Sequence, residues 1–182
     1  MKRKEKGYLI DTSTISVLLD SRNNAYAATV AAIKAIPSDC TQWLCPITLG
    51  EITFGVEYFD LQRGSEASEL RSMLAKALSY PLQKMSRHTG RFYGELKGKL
   101  ADKAYDLKGK KVRKIEEWID VIDMKPFGIS ENDLWIAAIA LEHELTLVSN
   151  DGDFTRLHEC WPSLEVIVIG PKGVVVSRPQ EA

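Results

Sequence analysis

The sequence predicts an α/β protein, with a central parallel sheet flanked by helices on both faces. Two observations carry this. Short apolar runs alternate with helical segments from end to end. The segment Leu134 to Leu141 is apolar nearly all round, which suits a helix buried against a sheet. Strands separated by helices pair as parallel neighbours through right-handed crossovers, so their C-terminal ends share one edge, where ligands bind.

Gly7-Tyr8-Leu9-Ile10 reads as the first strand and ends at Asp11. Thr12, Ser13 and Thr14 offer caps for a helix carrying Ile15, Val17, Leu18 and Leu19. Ala25 to Ile36 is alanine-rich and helical, and Pro37 stops it. Trp43 to Ile47 reads as the second strand, and Thr48 opens the next helix. A helix is expected over Glu66 to Leu78, capped by Ser65, and a short strand around Tyr80-Pro81-Leu82. Phe92, Leu96 and Leu100 form an amphipathic stripe within a helix from Ser86 to Tyr105. Ile115, Trp118, Ile119 and Ile122 are spaced for one more short helix ending before Pro126. Ser130 caps the buried helix from Glu131 to about His143, and Leu145 to Ser149 is the strand after it. Phe154 to His158 is a short helix, Glu165 to Ile169 the last strand, and a polar tail is expected beyond Gly170-Pro171. No repeat or long linker divides the chain, so one domain over residues 1–182 is expected.

Composition narrows the class. The 182 residues are 45% hydrophobic and 27% charged, enough to bury a core and too apolar for disorder. No apolar run reaches the roughly 20 residues of a membrane helix, and the basic start Met1 to Lys6 is not followed by a signal-peptide core. Three cysteines, Cys40, Cys45 and Cys160, with no CxxC pair, make neither a disulfide framework nor a zinc site. A reducing, cytoplasmic compartment is expected. The net charge of −1 hides an asymmetry: Lys84 to Lys114 holds eleven basic residues against three acidic ones, and the remainder is acidic. Such a segment is either a solvated helix face or a surface for a polyanion.

On the predicted topology four acids fall at the strand C-terminal edge. Asp11 ends strand one, Glu51 lies in the first turn of the helix after strand two, Asp133 in the first turn of the buried helix, and Asp151 just after the following strand. Each alone has a structural explanation. Asp11 can cap a helix, Thr48-Leu49-Gly50-Glu51 and Ser130-Glu131-Asn132-Asp133 fit capping boxes, and Asp151-Gly152 fits a turn. Capping does not require all four on one edge. Crowded carboxylates repel unless a divalent cation keeps them ionised, and all-oxygen ligation suits Mg²⁺ or Mn²⁺. Such ions act on phosphodiesters, and helix N-termini at that edge favour phosphate.

Tyr8-Leu9-Ile10-Asp11-Thr12-Ser13 resembles the opening motif of PIN domains. Asn132-Asp133-Leu134-Trp135-Ile136-Ala137-Ala138 resembles the signature of VapC toxins, and Leu147 to Phe154, with Asp151 and Asp153, is similar to their closing acidic motif. Glu51 stands where that family has its second acid. The resemblance runs from about residue 7 to 170 and implies a PIN-like three-layer fold and a metal-dependent endoribonuclease, the toxin of a VapBC toxin–antitoxin pair. It implies that Asp11, Glu51, Asp133 and Asp151 are catalytic, that Asp11, Asp133 and Asp151 hold Mg²⁺ or Mn²⁺, and that Thr12, Ser13 and Asp153 support them. It also implies an RNA substrate, a small antitoxin partner and a homodimer. The chain is longer than usual for that family, with a helical basic insertion expected over about 107–128. Its Lys108, Lys110, Lys111, Arg113 and Lys114 are candidate RNA phosphate contacts. The alternative reading is a PIN-fold RNA-binding module with little or no cleavage. Receiver, haloacid-dehalogenase, dinucleotide-binding and serine-hydrolase patterns are not met.

Overall fold

The computed structural model describes residues 7–63, 68–104, 114–171 and 173–177. Among these residues five strands form one sheet: β1 (Tyr8–Ile10), β2 (Gln42–Trp43), β3 (Thr146–Ser149), β4 (Val166–Gly170) and β5 (Gly173–Ser177), in the order β2-β1-β3-β4-β5. The first four run parallel, with Leu9 opposite Leu147 and Val148 opposite Ile167. Among the described residues seven α-helices surround them: α1 (Thr12–Leu19), α2 (Tyr26–Lys34), α3 (Pro46–Arg63), α4 (Ser68–Ala77), α5 (Arg87–Lys103), α6 (Glu131–His143) and α7 (Phe154–Cys160). The predicted α/β architecture is therefore the observed one.

Strand alternation builds the three layers. Leu9, Leu147, Val166 and Val168 point to one face and join the buried residues of α5, α6 and α7. Ile10, Val148 and Ile169 point to the other and pack with Ile15, Ile52 and Ala77. In α6, Leu134 and Ile136 to Leu141 are all buried, so its all-round apolarity reflects a place deep in the core. Tyr93 and Lys97 of α5 meet Glu131 at the start of α6, while Ser86 and Thr89 meet Glu142 near its end. The two helices are thus antiparallel, and the C-terminal end of α5 lies beside the N-terminus of α6.

Four expectations are corrected. The last parallel strand is followed by an antiparallel partner, β5, paired from Val166–Ser177 to Gly170–Gly173. Gly170-Pro171 is the turn of a hairpin, and the β-branched run Val174-Val175-Val176 is strand material. The second strand is only Gln42–Trp43, and α3 begins at Pro46, a residue suited to a first helical position. Around Pro81 no full strand forms; Leu82 makes one parallel bridge to Leu44. The expected helix at Ile115 to Ile122 is a single 3₁₀ turn, Ile115–Glu117, followed by a tight turn. There the Asp120 and Asp123 carboxylates accept from the backbone N–H groups of Ile122 and Lys125, at 2.9 and 3.0 Å, and so compete with helical bonding. Ile122 is left 81% exposed. Among the described residues no helix is long and apolar enough to cross a membrane.

Candidate active site

The strand order changes direction between β1 and β3: α1 leads from β1 to one side, and β3 lies on the other. The C-terminal ends of these two strands bracket a crevice of the kind where open α/β sheets bind ligands. Asp11 leaves β1 there and is 3% exposed. It caps α1 by accepting from the Ser13 amide at 3.2 Å. The same oxygen, Oδ2, accepts from the hydroxyls of Ser13 at 2.6 Å and Ser149 at 2.8 Å. Burial raises the Asp11 pKa, and these hydrogen bonds oppose the rise.

Asp133 opens α6 and completes the predicted capping box. Its Oδ2 accepts from the Ser130 amide at 2.7 Å, and its amide donates to the Ser130 hydroxyl at 3.2 Å. Its carboxyl is pushed up to about 6 by burial, against the lowering effect of the Ser130 bonds, with Asp11 and Asp151 adding to the rise. Three acids from separate parts of the chain therefore share one electrostatic neighbourhood. Asp151 accepts from the Asp153 amide at 2.9 Å, so the turn reading of Asp151-Gly152 is also realised. Asp153 is half-buried, and its pKa is raised first by burial and then by Asp151.

Glu51 is the acid whose expected setting changes. Because α3 starts at Pro46, Glu51 lies in the second turn and closes no helix end. Its Oε2 accepts from the Thr12 hydroxyl and its Oε1 from Asn132 Nδ2 at 2.7 Å. Thr12 follows Asp11 and Asn132 precedes Asp133, so Glu51 is tied to both neighbouring acids through their sequence neighbours.

The four acids share the edge without closing on one point. Among the described residues, no three His, Cys, Asp or Glu side chains are grouped closely enough to hold a metal ion. Each carboxylate is drawn to its own local donors, and like charges repel. Among the described residues, no ion pair to Lys, Arg or His neutralises any of the four. An all-oxygen, negatively charged set with a carboxyl held near pH 6 has the donor chemistry of a hard divalent cation site.

Three residues at this edge escape the sequence reading. Ser149 is fully buried; besides its bond to Asp11 it accepts from the Asp151 amide at 2.9 Å and lies 3.0 Å from the Ser13 hydroxyl. Asn132 holds Glu51, and Gly128 lies against Asp153. A polar residue closing an apolar strand was the only available hint for Ser149. Replacing it with alanine leaves the Asp151 amide without that acceptor and Asp11 with one donor fewer. The expected loss is about 1–3 kcal/mol in urea unfolding. It should be larger at pH 7 than at pH 4, because the lost donor favours ionised Asp11.

Of the candidate RNA contacts, Lys108, Lys110, Lys111 and Arg113 lie outside the described residues. Lys114 is exposed, just before the 3₁₀ turn. The flanks of the segment are anchored: the Val121 amide donates to the Lys103 carbonyl at the end of α5, and Ile115 and Trp118 are buried.

A mostly parallel sheet with acids gathered at its switch point defines an α/β protein with an acid-lined edge. The model of the PIN domain matches residues 8–159, and the chain belongs to that family. Its fold is similar to the VapBC2 structure from Rickettsia felis bound to a promoter DNA fragment, at 22% identity and a TM-score of 0.55 over 88% of this chain and 96% of that one. It is similar to VapBC-5 from Mycobacterium tuberculosis, at 21% identity and 0.56, over 90% and 98%. It is also similar to a toxin–antitoxin complex from Klebsiella pneumoniae, at 17% identity and 0.53, over 91% and 98%. No curated protein matches the chain.

Proposed function

We propose that this chain is a single-domain, Mg²⁺- or Mn²⁺-dependent endoribonuclease of the cytoplasm, the toxin of a toxin–antitoxin pair. The observation that carries the reading is the hydrogen-bonded linkage of the acids at the switch point, where Ser149 bonds both the Asp11 carboxylate and the Asp151 amide and Glu51 joins Thr12 to Asn132. Asp11, Asp133 and Asp151 would hold the cation, which when bound supplies charge neutralisation at the scissile phosphate and an acidified water. Ser13 and Ser149 hold the Asp11 carboxylate on the strand end and oppose the rise in its pKa that burial causes. Glu51 has one donor on each oxygen, which leaves lone pairs to accept the proton of an attacking water. Asp153 supports the cup through its contact with Asp151. The similar structures are toxin–antitoxin assemblies, which supports a small antitoxin as partner. Phe54, Tyr58 and Leu61 leave an exposed apolar stripe on α3, which supports a surface covered by an antitoxin or by a second copy in a homodimer.

Incubation with total bacterial RNA tests the reading. Wild-type protein with Mg²⁺ should give discrete fragments that vanish with EDTA and in Asp11→Asn. Equal cleavage by the variant would end the proposal, and RNA retention without any cutting would favour the binding-module reading. The basic segment is tested separately. Replacing Lys108, Lys110, Lys111, Arg113 and Lys114 with glutamine should weaken RNA binding and flatten its logarithmic salt dependence by roughly 0.7 per lost phosphate contact. An unchanged slope removes these residues from the RNA surface.

A further inference from the structure

We propose that Gly128 is a positioning residue, whose missing side chain provides the seat on which the Asp153 carboxylate rests beside Asp151; the inference builds on the nuclease reading above. Gly128 lies two residues before the Ser130 that caps α6, and Asp153 two residues after Asp151, so this contact joins the two segments that bring Asp133 and Asp151 to the edge. A Cβ placed on Gly128 would stand 2.1 Å from Asp153 Oδ2, 2.6 Å from its Cγ and 3.0 Å from its Oδ1. The whole carboxylate, not one oxygen, lies against the glycine Cα. The backbone of Gly128 is at φ 75°, a region costly for residues with a side chain.

Among the described residues no hydrogen bond is made by this carboxylate, and Arg156 acts on it through charge alone. Asp153 opens α7 without making a side-chain cap hydrogen bond. Arg156, one turn on, reaches Asp120 at 3.5 Å and Asp123 at 3.2 Å. The Asp153 amide is fixed by Asp151 Oδ1, so the main chain is held while the side chain takes its place from packing on Gly128. A methyl group at 128 must therefore push the carboxylate off its seat and change its spacing to Asp151, and with it the charge a cation meets at this edge.

The test is a double-variant cycle on the full chain, with Mn²⁺ affinity read by calorimetry and side-chain position by crystallography. Gly128→Ala should weaken Mn²⁺ binding roughly tenfold, the size expected when a residue supporting a metal site is removed. The crystal structure should show the Asp153 carboxylate displaced. In an Asp153→Ala background the same substitution should have no further effect. Gly128→Asn, which tolerates positive φ but carries a Cβ, should behave like alanine. If Gly128→Ala fails to fold, Gly128→Asn, which tolerates the positive φ, takes its place in the cycle, and its effect should disappear in the Asp153→Ala background because removing the carboxylate clears the clash. Additive effects in the cycle, wild-type affinity in Gly128→Asn, or an unmoved carboxylate would each overturn the assignment. Absence of Mn²⁺ binding by the wild type would instead reject the nuclease reading, and the position of the carboxylate in Gly128→Ala would still decide for or against the seat.

Discussion

Asp133→Asn is expected to abolish RNA cleavage and, in the same molecule, to raise the stability of the metal-free fold. The carboxyl of Asp133 is held near pH 6, above its ordinary value of 3.8, chiefly by burial and then by the charges of Asp11 and Asp151. The folded protein therefore binds this proton more tightly than the unfolded chain does. Below about pH 3 both states are protonated and the group costs nothing. Between about pH 4 and 6 the unfolded chain ionises while the folded protein keeps its proton, so the cost grows across that window to on the order of 3 kcal/mol and stays there at neutral pH. Asparagine keeps an oxygen to accept from the Ser130 amide, so the cap at the start of α6 survives while the repulsion is removed. Urea unfolding at pH 7 without divalent ions should show the gain, and it should shrink at pH 4 and vanish by about pH 3. Cleavage should fall about 100-fold or more, since several kcal/mol of transition-state stabilisation depend on the cation this carboxylate helps to hold. In the wild type, Mn²⁺ affinity should fall about tenfold per pH unit below 6, as Asp133 takes up its proton. A variant that is destabilised at pH 7, or that cuts RNA normally, would contradict this account.

The second large effect lies in the core. Ile139 is fully buried in α6 and belongs to the larger apolar cluster. Ile139→Ala should cost about 2–5 kcal/mol, from lost burial and from the cavity left behind. That is a large share of a typical stability of about 5–15 kcal/mol. The urea midpoint should drop sharply. By contrast Leu61→Ala, at a side chain 84% exposed on α3, should change stability by less than about 0.5 kcal/mol. A small effect at Ile139 would mean that α6 is not the buried element its burial describes. The pairing of effects follows from α6 itself, whose body holds the core together and whose N-terminus carries Asp133 to the sheet edge.

The strand-and-helix alternation, the all-round apolarity of α6 and the placing of Asp11, Asp133 and Asp151 at strand or helix ends were legible in the chain, because each is written in local patterns of period two, period 3.6 or capping chemistry. The same patterns misled where local and longer-range bonding compete. Ile115 to Ile122 has helical spacing, yet the side chains of Asp120 and Asp123 bond the backbone and turn it away from a helix. Val174 to Val176 had strand composition, but a strand exists there only because β4 offers an unpaired edge beside it. Glu51 was placed at the edge by the helix expected after strand two, while its clamping by Thr12 and Asn132 depends on three distant segments meeting. Ser149 bridging Asp11 and Asp151, and Gly128 seating Asp153, are likewise products of the fold. The sequence by itself determined which acids reach the edge, since period and capping are properties of neighbours along the chain. Only the tertiary structure decided how those carboxylates are held and charged, since burial, repulsion and hydrogen bonding act between segments that the chain keeps far apart.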